Sequence, residues 1–188
     1  TFQKVPPPVR LWEGYSDATS QRRLGTSGRQ LFGYPMNRKL AASDSMVSRQ
    51  SKIGLNTLVE RKTGLVFITK VKDATAETTR RAVTLRLSIL PRQARQTITS
   101  DNGSENACFD SVETELNLRW YFAHPYHSWE RGTNENTNGL IRQYFPKGTD
   151  FSRISHQAVA RVEQQLNERP RQRLDYRTPE EVLAKKMC

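Results

Sequence analysis

Leu58-Val59-Glu60 and Leu65-Val66-Phe67-Ile68-Thr69-Lys70-Val71 are two short apolar runs rich in β-branched residues, with Arg61-Lys62-Thr63-Gly64 between them. Strand, turn and strand in that order predict an antiparallel hairpin. The period then changes. Ala82, Val83, Leu85, Leu87, Ile89 and Leu90 form the apolar face of a helix from about Ala76 to Leu90. Asp73 or Thr75 can cap its start, and Pro91 stops it. A strand at Thr97-Ile98-Thr99-Ser100 ends on the turn residues Asp101-Asn102-Gly103. A helix from about Cys108 to Leu116 follows, then a strand from Leu118 to Ala123, broken at His124-Pro125. Gly132-Thr133-Asn134 opens a helix towards Tyr144, and Ser155 opens another to about Asn167, closed by Arg169-Pro170. A hairpin followed by strands alternating with helices predicts an α/β layered fold. At 188 residues the chain has length for one domain.

Charge narrows the partner. Lys and Arg total 30 against 19 acids, a formal net charge of +11. Such an excess points to a polyanion, nucleic acid above all. Arg80, Arg81 and Arg86, off the apolar face of their helix, are left for solvent or DNA. Residues 1–56 hold nine basic and three acidic residues, a net +6, and residues 57–188 hold 21 and 16, a net +5. From Gln21 to Lys52 neither a helical period nor a clean alternation is present. That stretch reads as a basic loop or disordered linker, or alternatively as an ordered arm tracking a phosphate backbone. The chain thus divides into a basic segment, 1–56, with an atypical first strand, and a core, 57–188. Two cysteines, Cys108 and Cys188, make no disulfide framework, which predicts a reducing, cytoplasmic setting close to the nucleoid. Apolar runs such as Leu65-Val66-Phe67-Ile68 are too short to cross a bilayer, and no leader opens the chain. Thr1-Phe2-Gln3, without an initiating Met, reads as a piece of a longer protein.

Two carboxylates stand where an α/β sheet binds ligands. Asp101 follows a strand, at the carboxyl edge of the sheet, and Glu135 lies in the first turn of a helix. Thirty-four positions separate their numbers, leaving thirty-three residues between them. One helix, one strand and a return to the same edge fit in that interval. Together they can bind a divalent cation through hard oxygen ligands. Each also has a plainer role, Asp101 as a turn residue and Glu135 as an answer to the helix dipole. Asn134, Asn136, Thr137 and Asn138 crowd amides and hydroxyls onto one short helix, with Arg131 and Arg142 beside them. Asn is a poor helix former. The face Asn134-Asn138-Arg142, spaced i, i+4, i+8, can meet phosphates and base edges, or simply face solvent. His124 and His127 lack the further ligands a zinc site needs, Cys108 being the only nearby addition. No nucleophilic triad or Gly-rich phosphate loop is present.

Three stretches carry a resemblance: Thr57-Leu58-Val59-Glu60-Arg61-Lys62-Thr63-Gly64, Ser100-Asp101-Asn102-Gly103-Ser104-Glu105, and Phe122 to Leu140 with its core His124-Pro125-Tyr126-His127-Ser128-Trp129-Glu130-Arg131-Gly132-Thr133-Asn134-Glu135. Leu166-Asn167-Glu168-Arg169-Pro170-Arg171 and Thr178-Pro179-Glu180-Glu181-Val182 extend it. The chain resembles the IS-thirty type of bacterial insertion-sequence transposases, of the DDE transposase and retroviral-integrase superfamily, over about residues 55–184. The resemblance implies an RNase H-like fold, a mixed five-stranded sheet flanked by helices. It matches Asp101 to the second catalytic carboxylate and Glu135 to the catalytic Glu. The family's first Asp follows Trp-Glu-Gly. Here Trp12-Glu13-Gly14 is followed by Tyr15, and Asp17 is the acid nearest to it. About forty basic, unpatterned residues then precede Thr57.

By resemblance, two magnesium (or manganese) ions would be held by Asp101, Glu135 and Asp17. The chain would cut double-stranded DNA at element ends and join those ends to a target, acting as a homo-oligomer. Arg131, Asn134, Asn138, Arg142 and Lys147 would contact the DNA, and Trp129 could wedge a base step or sit in the core. The rival expectation is a catalytically inactive remnant that binds DNA without cutting it, which Tyr15 favours. A single-strand or RNA binder is a third. The family carries an upstream helix-turn-helix reader that these residues do not show.

Overall fold

The computed structural model describes residues 39–42, 46–48, 51–123 and 132–187. Asp17, Arg131, His124, His127 and Trp129 lie outside the described residues. Six strands form one sheet: β1 Lys39–Ala42, β2 Met46–Val47, β3 Gly54–Glu60, β4 Val66–Val71, β5 Thr97–Ser100 and β6 Arg119–Phe122. Five helices pack on it: α1 Ala76–Ser88, α2 Phe109–Leu116, α3 Gly132–Tyr144, α4 His156–Asn167 and α5 Pro179–Met187.

The hairpin is β3 and β4, antiparallel with Thr57 opposite Ile68. Its turn is held by Glu60. The buried Glu60 carboxylate accepts from the Thr63 N–H at 2.7 Å, the Thr63 hydroxyl at 2.6 Å and the Lys62 N–H at 3.0 Å. Gly64 follows with φ +73, a left-handed value that favours glycine. Against the other edge of β3 lie both β1 (Ala42 opposite Leu58) and β2 (Met46 opposite Leu55), antiparallel. The two registers differ by one residue. β5 runs parallel to β1, with Ala41 beside Thr99, and β6 runs parallel to β5, with Ser100 beside Phe122. Across its width the sheet is therefore β4, β3, β1 with β2, β5 and β6.

The strand alternation sorts the core into two layers. Phe67, Leu58, Ile98 and Trp120 join Val83 and Leu87 of α1 and Val112 and Leu116 of α2 on one face. Val66, Ile68 and Leu55 join Ile141 of α3 and Val159, Val162 and Leu166 of α4 on the other. β3 is buried along its whole length, as a strand inside both layers must be.

Three expectations change. The stretch 21–52, expected to be loop or linker, contains β1 and β2, and the expected boundary at residue 56 falls inside β3. Arg86, expected to face solvent or DNA, lies over the Phe67 ring at 5.3 Å and pairs with Glu163 of α4, whose Oε2 also accepts from the Ile68 N–H at 2.6 Å. Arg80 is tied to Glu77 and Glu115, both at 2.9 Å. Leu85 and Ile89, expected in the core, are 64% and 67% exposed, because α1 buries only the stripe through Thr79, Ala82, Val83 and Leu87. Thr75 caps α1, its hydroxyl accepting from the Thr78 N–H, and Ser155 caps α4 through the Ala158 N–H.

Candidate active site at the carboxyl edge of the sheet

β5 ends at Ser100, and the chain turns out of the sheet at Asp101, half-buried at its carboxyl edge. The turn is built from side chains. The Trp120 indole N–H donates to the Ser100 hydroxyl at 2.8 Å, and that hydroxyl donates to the Asp101 carbonyl at 2.9 Å. Asn106, in the short 3-10 turn Ser104–Asn106, donates from Nδ2 to the Asp101 carbonyl at 3.2 Å and to its Oδ1 at 3.1 Å. Asn106 is 3% exposed, and its own Oδ1 is buried with no hydrogen-bond partner. The Asp101 carboxylate is thus fixed by an amide that locates it without neutralising it.

Glu135 reaches the same edge through α3. The Thr57 hydroxyl donates to Asn138 Oδ1 at 3.3 Å, and Glu135 lies three residues, less than one helical turn, before Asn138. Thr57 is one residue past the Leu58–Ala42 pair, and Asp101 is two residues past the Thr99–Ala41 pair. Both therefore stand at the end of the sheet where β1 and β5 terminate. α3 packs on β1 and β3, and Glu135 is exposed in its first turn, where the helix dipole favours a negative charge.

The other expected DNA contacts separate. Asn134, 1% exposed, faces inward and is not presented to a duplex. Asn138 is half-buried with Thr57, so the polar i, i+4, i+8 face is turned towards the sheet at its start. Arg142 is half-buried and Lys147 exposed. The residues that position Asp101 escaped the sequence reading. Ser100 and Trp120 look like ordinary strand residues. Asn106 had one signal, an amide five residues after the acid, one 3-10 turn away. Among the described residues, no group of three or more His, Cys, Asp or Glu can hold a metal ion.

No protein-family model matches the chain. The transposase of insertion sequence IS4351 from Bacteroides fragilis is 42% identical over 138 residues, 73% of this chain and 42% of the relative. Transposase InsI of IS30A from Escherichia coli K12 is 37% identical over 138 residues, 73% of this chain and 36% of the relative. The chain belongs to the IS-thirty type of insertion-sequence transposases. It spans about two fifths of the length of these relatives. Among solved structures, the catalytic core domain of HTLV-2 integrase in complex with magnesium is similar at a TM-score of 0.58, with 20% identity, covering 78% of this chain and 95% of that one. That likeness establishes for this transposase chain the RNase H-like fold of integrase cores.

Proposed function

We propose that this chain is a transposase catalytic domain that cuts double-stranded DNA at element ends and transfers the freed strand to target DNA, as a homo-oligomer on the DNA. What supports the reading is the edge where β1 and β5 end: Asp101, fixed by Asn106, stands there, and so does Thr57, bonded to Asn138 three residues after Glu135 on α3. The donors suit a hard divalent cation: two carboxylates, one exposed and one half-buried, beside a buried amide oxygen without a partner. Asp101 and Glu135 would hold it. A magnesium or manganese pair bound there would supply activation of the attacking oxygen and stabilisation of the leaving one. The magnesium-bound integrase core supports the same class of ion. In the first step water attacks phosphorus, the P–O3′ bond breaks, and a free 3′-hydroxyl is left. In the second that hydroxyl attacks a target phosphodiester, releasing the target's own 3′-hydroxyl. Arg142 and Lys147, near the far end of α3, would neutralise phosphates of the DNA.

The strand next to β5 is Lys-Leu-Ala-Ala and contains no acid. Asp17 precedes that strand by 22 residues in the chain, whereas Asp44 falls between β1 and β2, the two strands sharing one edge of β3. We assign the third carboxylate to Asp44 in place of Asp17.

Metal-dependent nicking and strand transfer on element-end DNA test the reading. Asp101→Asn, Glu135→Gln and Asp44→Asn each lower the rate by at least about a hundredfold, an effect of roughly 3 kcal/mol or more on the barrier, while Asp17→Asn does not. DNA binding by the parent chain without any cutting would establish the rival, an inactive binding module. Unchanged activity in Asp44→Asn would remove that residue alone.

A further inference from the structure

At the opposite end of the parallel strands, where β5 and β6 begin, a cleft of about 550 Å³ is lined by Arg92, Gln96, Thr97, Asn117, Arg119 and Tyr121, over the buried Leu118. Its lining contains two arginines and no acid. Among the described residues neither Arg92 nor Arg119 is in an ion pair. The two carboxylates nearest in sequence to Arg119 are engaged: Glu115 pairs with Arg80, and Glu113 accepts from the Trp120 N–H at 2.6 Å. Within this lining the Thr97 hydroxyl is buried without a hydrogen-bond partner. Orphaned donors of this kind are costly unless a ligand answers them. A guanidinium's natural complement is a carboxylate or a phosphate, held by two parallel hydrogen bonds.

We propose that this cleft is a second DNA site, binding a backbone phosphodiester of a duplex segment other than the one at Asp101. β5 is four residues long, so the cleft lies roughly 13 Å from the Asp101 end at about 3.3 Å per residue. The two sites open at opposite ends of the sheet. A straight duplex lying across one end of the sheet does not enter a cleft placed at the other. The segment in the cleft is therefore a different stretch or a second molecule. The inference rests on the transposase reading for the choice of DNA as the phosphate's source, but the cleft itself is argued from the arginines.

Two measurements on the full chain test it. Inorganic phosphate, added without divalent ions, is expected to shift the backbone amide resonances of Thr97, Leu118 and Arg119, and the double variant R92A/R119A to lose those shifts. Fluorescence anisotropy of a labelled non-specific duplex across a salt series reads the DNA arm. R92A/R119A lowers the slope of log affinity against log salt by about one, for the one phosphate the cleft neutralises. A control removing two arginines elsewhere, R81A/R153A, leaves it unchanged, because both side chains are exposed beside acids. Absent amide shifts, or an equal fall in both double variants, overturn the site. Shifts with an unchanged salt slope overturn DNA as its occupant. A lower slope in a chain that never cuts DNA supports this cleft while refuting the catalytic reading, so the two stand or fall separately.

Discussion

Asn106 shows how one side chain can set the chemistry of its neighbour without taking part in it. Its amide nitrogen bridges the carbonyl and the carboxylate of Asp101 at 3.2 and 3.1 Å. An amide locates a carboxylate but does not carry the charge an arginine would bring to it. Asn106→Ala removes this tether. The nicking rate should fall about tenfold, the worth of one hydrogen bond to a charged group. The magnesium concentration giving half-maximal rate should rise, with the circular dichroism spectrum unchanged; a lower rate at unchanged magnesium dependence would exclude the positioning role. Asp101 and Glu135 themselves were legible in the sequence, because a turn acid after a strand and an acid in a first helical turn are local features. Their positioning partners were not. A Trp–Ser–Asp relay needs β6 paired beside β5, and no sequence interval states that pairing.

Among elements, the β4 edge is the instructive case. An edge strand offers unpaired N–H and C=O groups to any passing strand. Here Asn167, the last residue of α4, accepts from the Val66 N–H and donates to the Val66 carbonyl, both at 2.8 Å, imitating a neighbouring strand. Glu163, one turn earlier, accepts from the Ile68 N–H. Asn167→Ala leaves two buried backbone groups without partners and should cost about 2–4 kcal/mol, read as a lower urea midpoint at unchanged slope. A loss below about 0.5 kcal/mol would show that water substitutes freely. The helix caps were readable beforehand, since Thr75 and Ser155 act within three residues of themselves. Which helical faces turn inward was not. Asn134 is buried, and Leu85 and Ile89 are exposed, because the sheet and α2 choose the face of each helix, against the preference of single residues.

For the whole molecule, one sheet shared by two apolar layers makes stability collective. Leu87 belongs to the α1–α2 layer and Leu166 to the α3–α4 layer, and both are fully buried. Leu87→Ala and Leu166→Ala should each cost about 2–5 kcal/mol. Each should lower the midpoint of a single thermal transition, because β3 and β4 contribute to both layers. Two separate transitions in either variant would mean that the layers unfold independently. The charge has the same collective character. Of the +11 of the whole chain, +6 belongs to residues 1–56. The described core spends several of its arginines on structure, with Arg80 and Arg86 in ion pairs and Arg173 donating to the Arg61 carbonyl at 3.2 Å. Arg171 is half-buried in the same region, and burial, with Arg173 and Arg169 nearby, holds its guanidinium below its ordinary value. Net charge therefore indicates the partner's sign but not the contact surface.

By itself the sequence determined the elements from β3 to α4, the interval between Asp101 and Glu135, and the transposase family. All of these rest on local periodicity, capping and contiguous motifs. Tertiary structure alone decided that Lys39–Ala42 is the strand between β3 and β5. A four-residue strand takes its place from the ladders on both sides, and its own sequence has no alternation to announce them. In the chain Asp44 follows that strand by two residues, whereas Asp17 precedes it by 22. The hairpin that fixes β3 is a local event; the strands beside it, β1 and then β5 and β6, pair across long intervals of chain, and only packing brings them to one sheet.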